Sequence, residues 1–230
     1  MAAPGRSASI LRALLWLAGA LAAAPLHADR ALDFRLFEAA RAGDAATVAE
    51  LLRQGAVVDA RNRLGNTSLN LAAQGGHEAT VALLLAHQAD PGRPNLRGAT
   101  PLMGAAFGGA FEVARRLIEA GASVEPSDNT QKTAMVYAAA NGHARIVGLL
   151  LDHGVGVNRR YHNDLTALMW AAGYGHTETI RLLLERGADR QLLDNRGKTA
   201  LAMALENGYA EAATLLEGPA AASGRGRPDQ

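Results

Sequence analysis

His77, His143 and His176 each follow a glycine and each open a leucine-rich stretch, as in NGHARIVGLLLDHG (141–154) and YGHTETIRLLLERG (174–187). Histidines that recur in one sequence context could be zinc ligands or general bases, so the first question is whether they converge. Glu112, Glu178 and Glu211 recur in a context of their own. Carboxylates do paired acid–base work only when they face one cleft. Other chemistry is poorly represented. The chain has no cysteine, which excludes a disulfide framework, a thiol nucleophile and a Cys-ligated metal. GYGH (173–176) is not a nucleophile elbow, and GNTSLNLAAQGG (65–76) lacks the lysine of a phosphate-binding loop.

The elements that must position these side chains repeat every 33 residues. Thr67, Thr100, Thr133, Thr166 and Thr199 are in perfect register, as are Gly43, Gly76, Gly109, Gly142, Gly175 and Gly208. The pairs Ala72–Ala73, Ala105–Ala106, Ala138–Ala139 and Ala171–Ala172 keep the same spacing. Each unit reads as two short helices. The threonine caps the first, Pro101 suits a first-turn position, the alanines permit close approach of a neighbour, and the glycine ends the helix. The second helix carries the leucine triplet and ends at a further glycine (Gly55, Gly121, Gly154, Gly187). A polar Asn/Asp/Gly stretch then forms an extended turn. Aromatics make up 4% of the chain and hydrophobic residues 49%, a balance that suits closely packed Ala/Leu helices.

TPLMGAA (100–106), TALMWAAGYGH (166–176), NGHARIVGLLLDHG (141–154) and ERGADRQLLDNRGKTAL (185–201) resemble the ankyrin repeat family. The resemblance covers 29–217 and implies an all-α repeat solenoid of about six stacked repeats: 29–61, 62–94, 95–127, 128–160, 161–193 and 194–217. The first unit has Phe34 in the threonine column and looks like an N-terminal capping repeat. The family's histidine three residues after the threonine is replaced by Asn70, Met103, Val136, Met169 and Ala202, so fewer hydrogen bonds between turns are expected.

Stacking answers the question about the histidines. Equivalent residues of adjacent repeats lie about 8–10 Å apart, whereas zinc ligands each lie at ~2.0–2.1 Å from one ion. The column is also structural in the family. We therefore expect no catalytic residue, no metal site and no cofactor. His87 and His153 suit the ends of second helices, and His162 lies at a turn tip.

Residues 1–28 differ from the rest. Arg6 and Arg12 precede an apolar run of 14 (13–26), too short to span a bilayer, which needs roughly 20 residues. This reads as a cleavable signal peptide cut after Ala28. Together with the Ala/Arg/Gly bias it points to export into a bacterial periplasm. Removing it takes two arginines and no acid, which leaves 21 basic against 22 acidic residues, a net charge of −1. No membrane association is then expected. Residues 218–230, rich in Pro, Gly, Ser and Arg, read as a disordered tail.

In ankyrin proteins, contacts come from the turn tips and the exposed side of the first helices, and the resemblance implies the same here. The tips (60–66, 93–99, 126–132, 159–165 and 192–198) hold nine basic and three acidic residues, a net of +6, which leaves −7 for the rest of the chain without 1–28. The expected contacts are Arg61, Arg63, Arg97, Lys132, Arg160, His162, Arg196 and Lys198, with Phe107 and Tyr174 near the ends of first helices. Trp170 is expected in the core between repeats. The function expected is a non-catalytic, monomeric scaffold that presents a concave basic face to a protein partner with an acidic surface, and does not bind nucleic acid. Some small periplasmic ankyrin proteins are associated with catalase, so the resemblance extends to an oxidant-defence partner. The alternative is a secreted effector that binds a host protein.

Overall fold

The computed structural model describes residues 26–217, with side chains from Arg30 onward. Most of the expected signal segment and the whole of 218–230 lie outside the described residues.

The described residues form twelve α-helices in six pairs: α1 (Leu26–Ala42) with α2 (Ala45–Arg53), α3 (Ser68–Gln74) with α4 (Glu78–Ala86), and α5 (Pro101–Gly108) with α6 (Phe111–Glu119). The other pairs are α7 (Ala134–Ala140) with α8 (Ala144–Asp152), α9 (Ala167–Gly173) with α10 (Thr177–Glu185), and α11 (Ala200–Glu206) with α12 (Ala210–Glu217). Odd-numbered helices pack on one another as an inner row and even-numbered helices as an outer row, the inner row more closely. One apolar cluster runs unbroken from Leu36 to Leu216, so the core is a ribbon rather than a ball. None of these helices is long and apolar enough to cross a membrane.

Sequence dictates where each helix starts and stops. Thr67, Thr100, Thr133, Thr166 and Thr199 each accept the backbone N–H three residues on, at 3.2–3.4 Å. That hydrogen bond satisfies one of the donors that every helix start leaves unpaired. At the other end the glycine column takes φ of 71–78°, a left-handed turn that a side chain would strain. The inner-row alanines at 72–73, 105–106, 138–139 and 171–172 are fully buried, which is what lets successive inner helices approach closely.

The first unit departs from the two-short-helix pattern. Helix α1 has 17 residues where the other inner helices have 7 or 8. With Phe34 in the threonine column nothing caps the backbone there, and the helix runs through the position. It begins three residues before the expected cleavage bond.

The turns are better bonded than the missing histidines suggest. Asn70 accepts from the Thr67 N–H at 2.8 Å and donates to the Arg93 carbonyl at 3.2 Å. Asn62, Asn95, Asp128 and Asp194 each close their own tip by accepting two backbone N–H groups. Neighbouring tips are tied by Leu96 N–H to Leu64 O, Asn129 N–H to Arg97 O, and Asn195 N–H to Asn163 O. Tyr161 fills the Asn/Asp column in the fifth unit and has no oxygen in reach of those N–H groups. That tip instead forms a short 3₁₀ turn, His162–Asp164, with Asn163 and Asp164 both left-handed.

Candidate functional site

The three recurring histidines face backbone rather than one another. His77, His143 and His176 each place Nε2 at 2.9–3.1 Å from a carbonyl of the preceding unit: Arg41, Phe107 and Ala140 respectively. Each ring lies over the preceding unit's glycine, where a Cβ on Gly43, Gly109 or Gly142 would come within 2.5–2.6 Å of it. Tyr209 covers Gly175 in the same way. The column is thus a staple between units, and the glycine is needed for space as well as for φ. His87 and His153 bond Leu83 O and Leu149 O at the ends of their own helices. Glu112 is bound to Arg115, while Glu178 and Glu211 stand exposed on the outer row. Among the described residues no group of three His, Asp or Glu side chains could hold a metal ion.

The ten expected contact residues fall into two sets. Arg61 donates to Gly65 O and, at 2.8 Å, to Pro94 O of the next tip. Arg160, in the same column, donates to Leu193 O at 2.8 Å. Both are ties between tips. Arg196 pairs with the buried Asp194, and Lys198 with Glu206. His162 Nδ1 lies 2.8 Å from Gln131 Oε1. Two of the nine tip cations, Arg159 and Lys198, pair with acids outside the tips, Glu125 and Glu206. Five tip cations, Arg61, Arg63, Arg93, Arg97 and Lys132, are in no ion pair among the described residues; Arg61 is committed to carbonyls, which leaves Arg63, Arg93, Arg97 and Lys132 as the unpaired positive charge of the edge. Arg63 and Arg97 are exposed.

The second set is Phe107, Lys132 and Tyr174, and it forms a surface. Phe107 and Tyr174 are 53% and 52% exposed on the inner row. Phe107 meets Tyr137 edge-on at 5.9 Å, and Lys132 Nζ lies 5.8 Å from the rings of both Tyr137 and Trp170. Trp170 stacks on Tyr174 at 6.3 Å, and Tyr174 on His176 at 6.3 Å. Here the structure corrects the expectation for Trp170. It is half-buried and lines the inner face rather than sitting in the core between repeats. Its column holds Leu71, Gly104, Tyr137, Trp170 and Met203, so only two adjacent units place a ring there. Sequence reasoning missed Tyr137 entirely; its 33-residue spacing from Trp170 was the available signal.

Asp128 anchors this surface from below. It accepts from the Tyr137 hydroxyl, from Thr130 and from the Lys132 N–H. Burial pushes its carboxyl up, but these hydrogen bonds outweigh burial and hold it below the usual aspartate value. Burial and the adjacent Asp128 together raise the Tyr137 hydroxyl to about 12. Asp194 is likewise held low by the N–H groups of Lys198 and Arg196 and by the Arg196 side chain, against burial. A carboxylate whose folded pKa is depressed stabilises fully above its unfolded value, and the contribution is lost as pH falls through the folded value. We therefore expect stability to decline as pH drops below ~4. Asp128→Ala should cost roughly 2–3 kcal/mol at neutral pH by orphaning several donors, and should flatten the acid dependence. Urea melts at pH 7 and pH 3 would check both; an equal acid loss in the variant would remove Asp128 from the account.

A hollow of about 450 Å³ lies on the opposite, outer face between α6, α8 and α10, over Gly148 and Leu182. Its rim is largely self-neutralised, with Arg186 on Asp152 and Arg145 near Glu112 and over the Phe111 ring. The inner face instead combines exposed rings with unpaired cations, the residue types favoured as interface anchors.

A family model for ankyrin repeats (three copies) matches residues 3–95, 36–128, 88–161 and 135–222. None of the curated proteins compared matches the chain.

Proposed function

The chain belongs to the ankyrin repeat family, whose repeats generally mediate protein–protein interaction, and from that premise we propose that it is a non-catalytic scaffold whose inner face binds a protein partner with an acidic surface. The observation that carries this reading is the continuous run Phe107–Tyr137–Lys132–Trp170–Tyr174 beside the unpaired Arg97. Rigid rings and cations on a preorganised array supply contact area at low ordering cost. The stapled histidines and the outer carboxylates, of which Glu112 is bound to Arg115 while Glu178 and Glu211 stand apart and exposed, offer no convergent chemistry, which favours binding over catalysis. The charge of residues 1–28 and their apolar run support export, so we place the protein in the bacterial periplasm, as a monomer. Within that compartment an oxidant-defence enzyme such as catalase is the partner class to test first.

The test is a pull-down from periplasmic extract at low and high salt. We expect one dominant acidic protein, retained at low salt and lost at high salt, because exposed charge pairs are screened over about 8 Å at physiological ionic strength. The absence of any enriched protein at either salt would overturn the periplasmic scaffold.

A further inference from the structure

Taking the inner face as the binding face, we infer that the trough over the second to fifth units takes an extended, proline-containing segment of the partner, bearing acidic side chains. The trough is continuous. Hollows of about 270 Å³ and 410 Å³ share Phe107 and Tyr137, the first reaching Asn66 and Arg97 and the second reaching Trp170 and His176. Ring to ring and ring to Lys132, each step along it is about 6 Å, so no gap separates the anchors.

The period of the array selects the conformation of the occupant. Packed helices of adjacent units repeat at roughly 8–10 Å. A polyproline II chain repeats its side chains every third residue, at about 9 Å, and exposes its whole backbone to solvent or to donors. A chain in that form laid along the inner row meets one unit per turn in register. Aromatic-lined grooves suit it because it is preformed and loses little entropy on binding. A β-strand, with a same-face repeat of about 6.8 Å, would fall out of step within two units.

Charge selects the chemistry. Lys132 and Arg97 point positive charge at the trough, and no ion pair to either is found among the described residues. The nearby Asp128 carboxylate is already held by Tyr137, Thr130 and the Lys132 N–H. An acidic side chain on the incoming segment would complete Lys132 between its two rings. The chain's own residues 218–230 contain Pro219 and Pro228, but also Arg225 and Arg227, the wrong sign for this site.

The test uses the full chain to select from displayed random peptides of about twelve residues, long enough to span roughly 35 Å in this conformation. We expect the selected sequences to place proline and apolar residues three positions apart and to carry Asp or Glu. Their affinity should fall about tenfold or more in Lys132→Glu and in Tyr174→Ala, two surface changes that leave helicity intact. Selection of no peptide, of peptides without that period, or of peptides indifferent to both variants would overturn the inference. Deleting 218–230 should leave peptide affinity unchanged. A tenfold gain would instead seat the tail in the trough and remove the partner segment. The two readings fail separately. If a pulled-down partner loses binding in Lys132→Glu while the peptide selection fails, the inner face stands and only the extended segment falls.

Discussion

Replacing Leu150 by alanine is expected to lower the stability of the array by about 2–5 kcal/mol, read as a fall in the urea midpoint of the helical signal. Leu150 is fully buried on α8 in the fourth unit. Its loss removes the transfer free energy of three carbons and leaves a cavity that neighbouring helices cannot fill without shifting. In a stacked array each unit is supported only by the units beside it, so a defect in the middle weakens two interfaces at once. The slope of the transition is informative. If the units before and after the fourth come apart as separate blocks, less surface is exposed in each step and the slope falls together with the midpoint. The control is Leu205→Ala. Leu205 is 58% exposed on α11, and its truncation should change stability by no more than about 0.5 kcal/mol. Equal effects at the two positions would mean that the core ribbon does not carry the stability.

Much of this architecture could be read from the chain because a repeat turns each position into several observations. Five threonines in one column are five trials of the same cap, and the structure shows the bond at each. The histidine column was legible as structure for the same reason: stacking geometry forbids neighbouring equivalents from meeting on one ion, and each ring is found over a glycine of the preceding unit. What escaped is whatever a single column does not contain. Arg61 and Arg160 look like free tip cations in sequence, yet both reach the next tip, a contact decided by side-chain direction across units. Lys132 and Trp170 belong to different units and different columns, and they become neighbours only because the Lys132 side chain lies between the Tyr137 ring of its own unit and the Trp170 ring of the fifth. Tyr161 also broke a pattern that sequence reading passed over. Where Asn or Asp closes four tips, it cannot, and the backbone of that tip takes two left-handed residues in compensation.

These contacts change which residues should be altered to test the basic edge. Reversing Arg160 would break its bond to Leu193 O, and reversing Arg196 would place a second acid beside the buried Asp194. Either change would mix loss of fold with loss of partner. Arg63, Arg97 and Lys132 avoid this, since none is in an ion pair among the described residues and two of the three are exposed. The triple change to Glu should leave the helical signal intact and weaken partner capture by about a hundredfold or more, equivalent to ~2.7 kcal/mol. Two mechanisms add in that loss. Charge at the edge speeds encounter, which makes part of the effect vanish at high salt, while Lys132 between Tyr137 and Trp170 acts at close range and should lengthen the bound lifetime. Kinetic measurement of capture at low and high salt separates the two. The same reversal at Arg181, exposed on the outer row, should leave capture unchanged. If the inner triple binds as the natural chain does, the positive edge is only a solvated surface. If Arg181→Glu proves the more damaging change, the partner sits on the outer row over the Gly148 hollow instead.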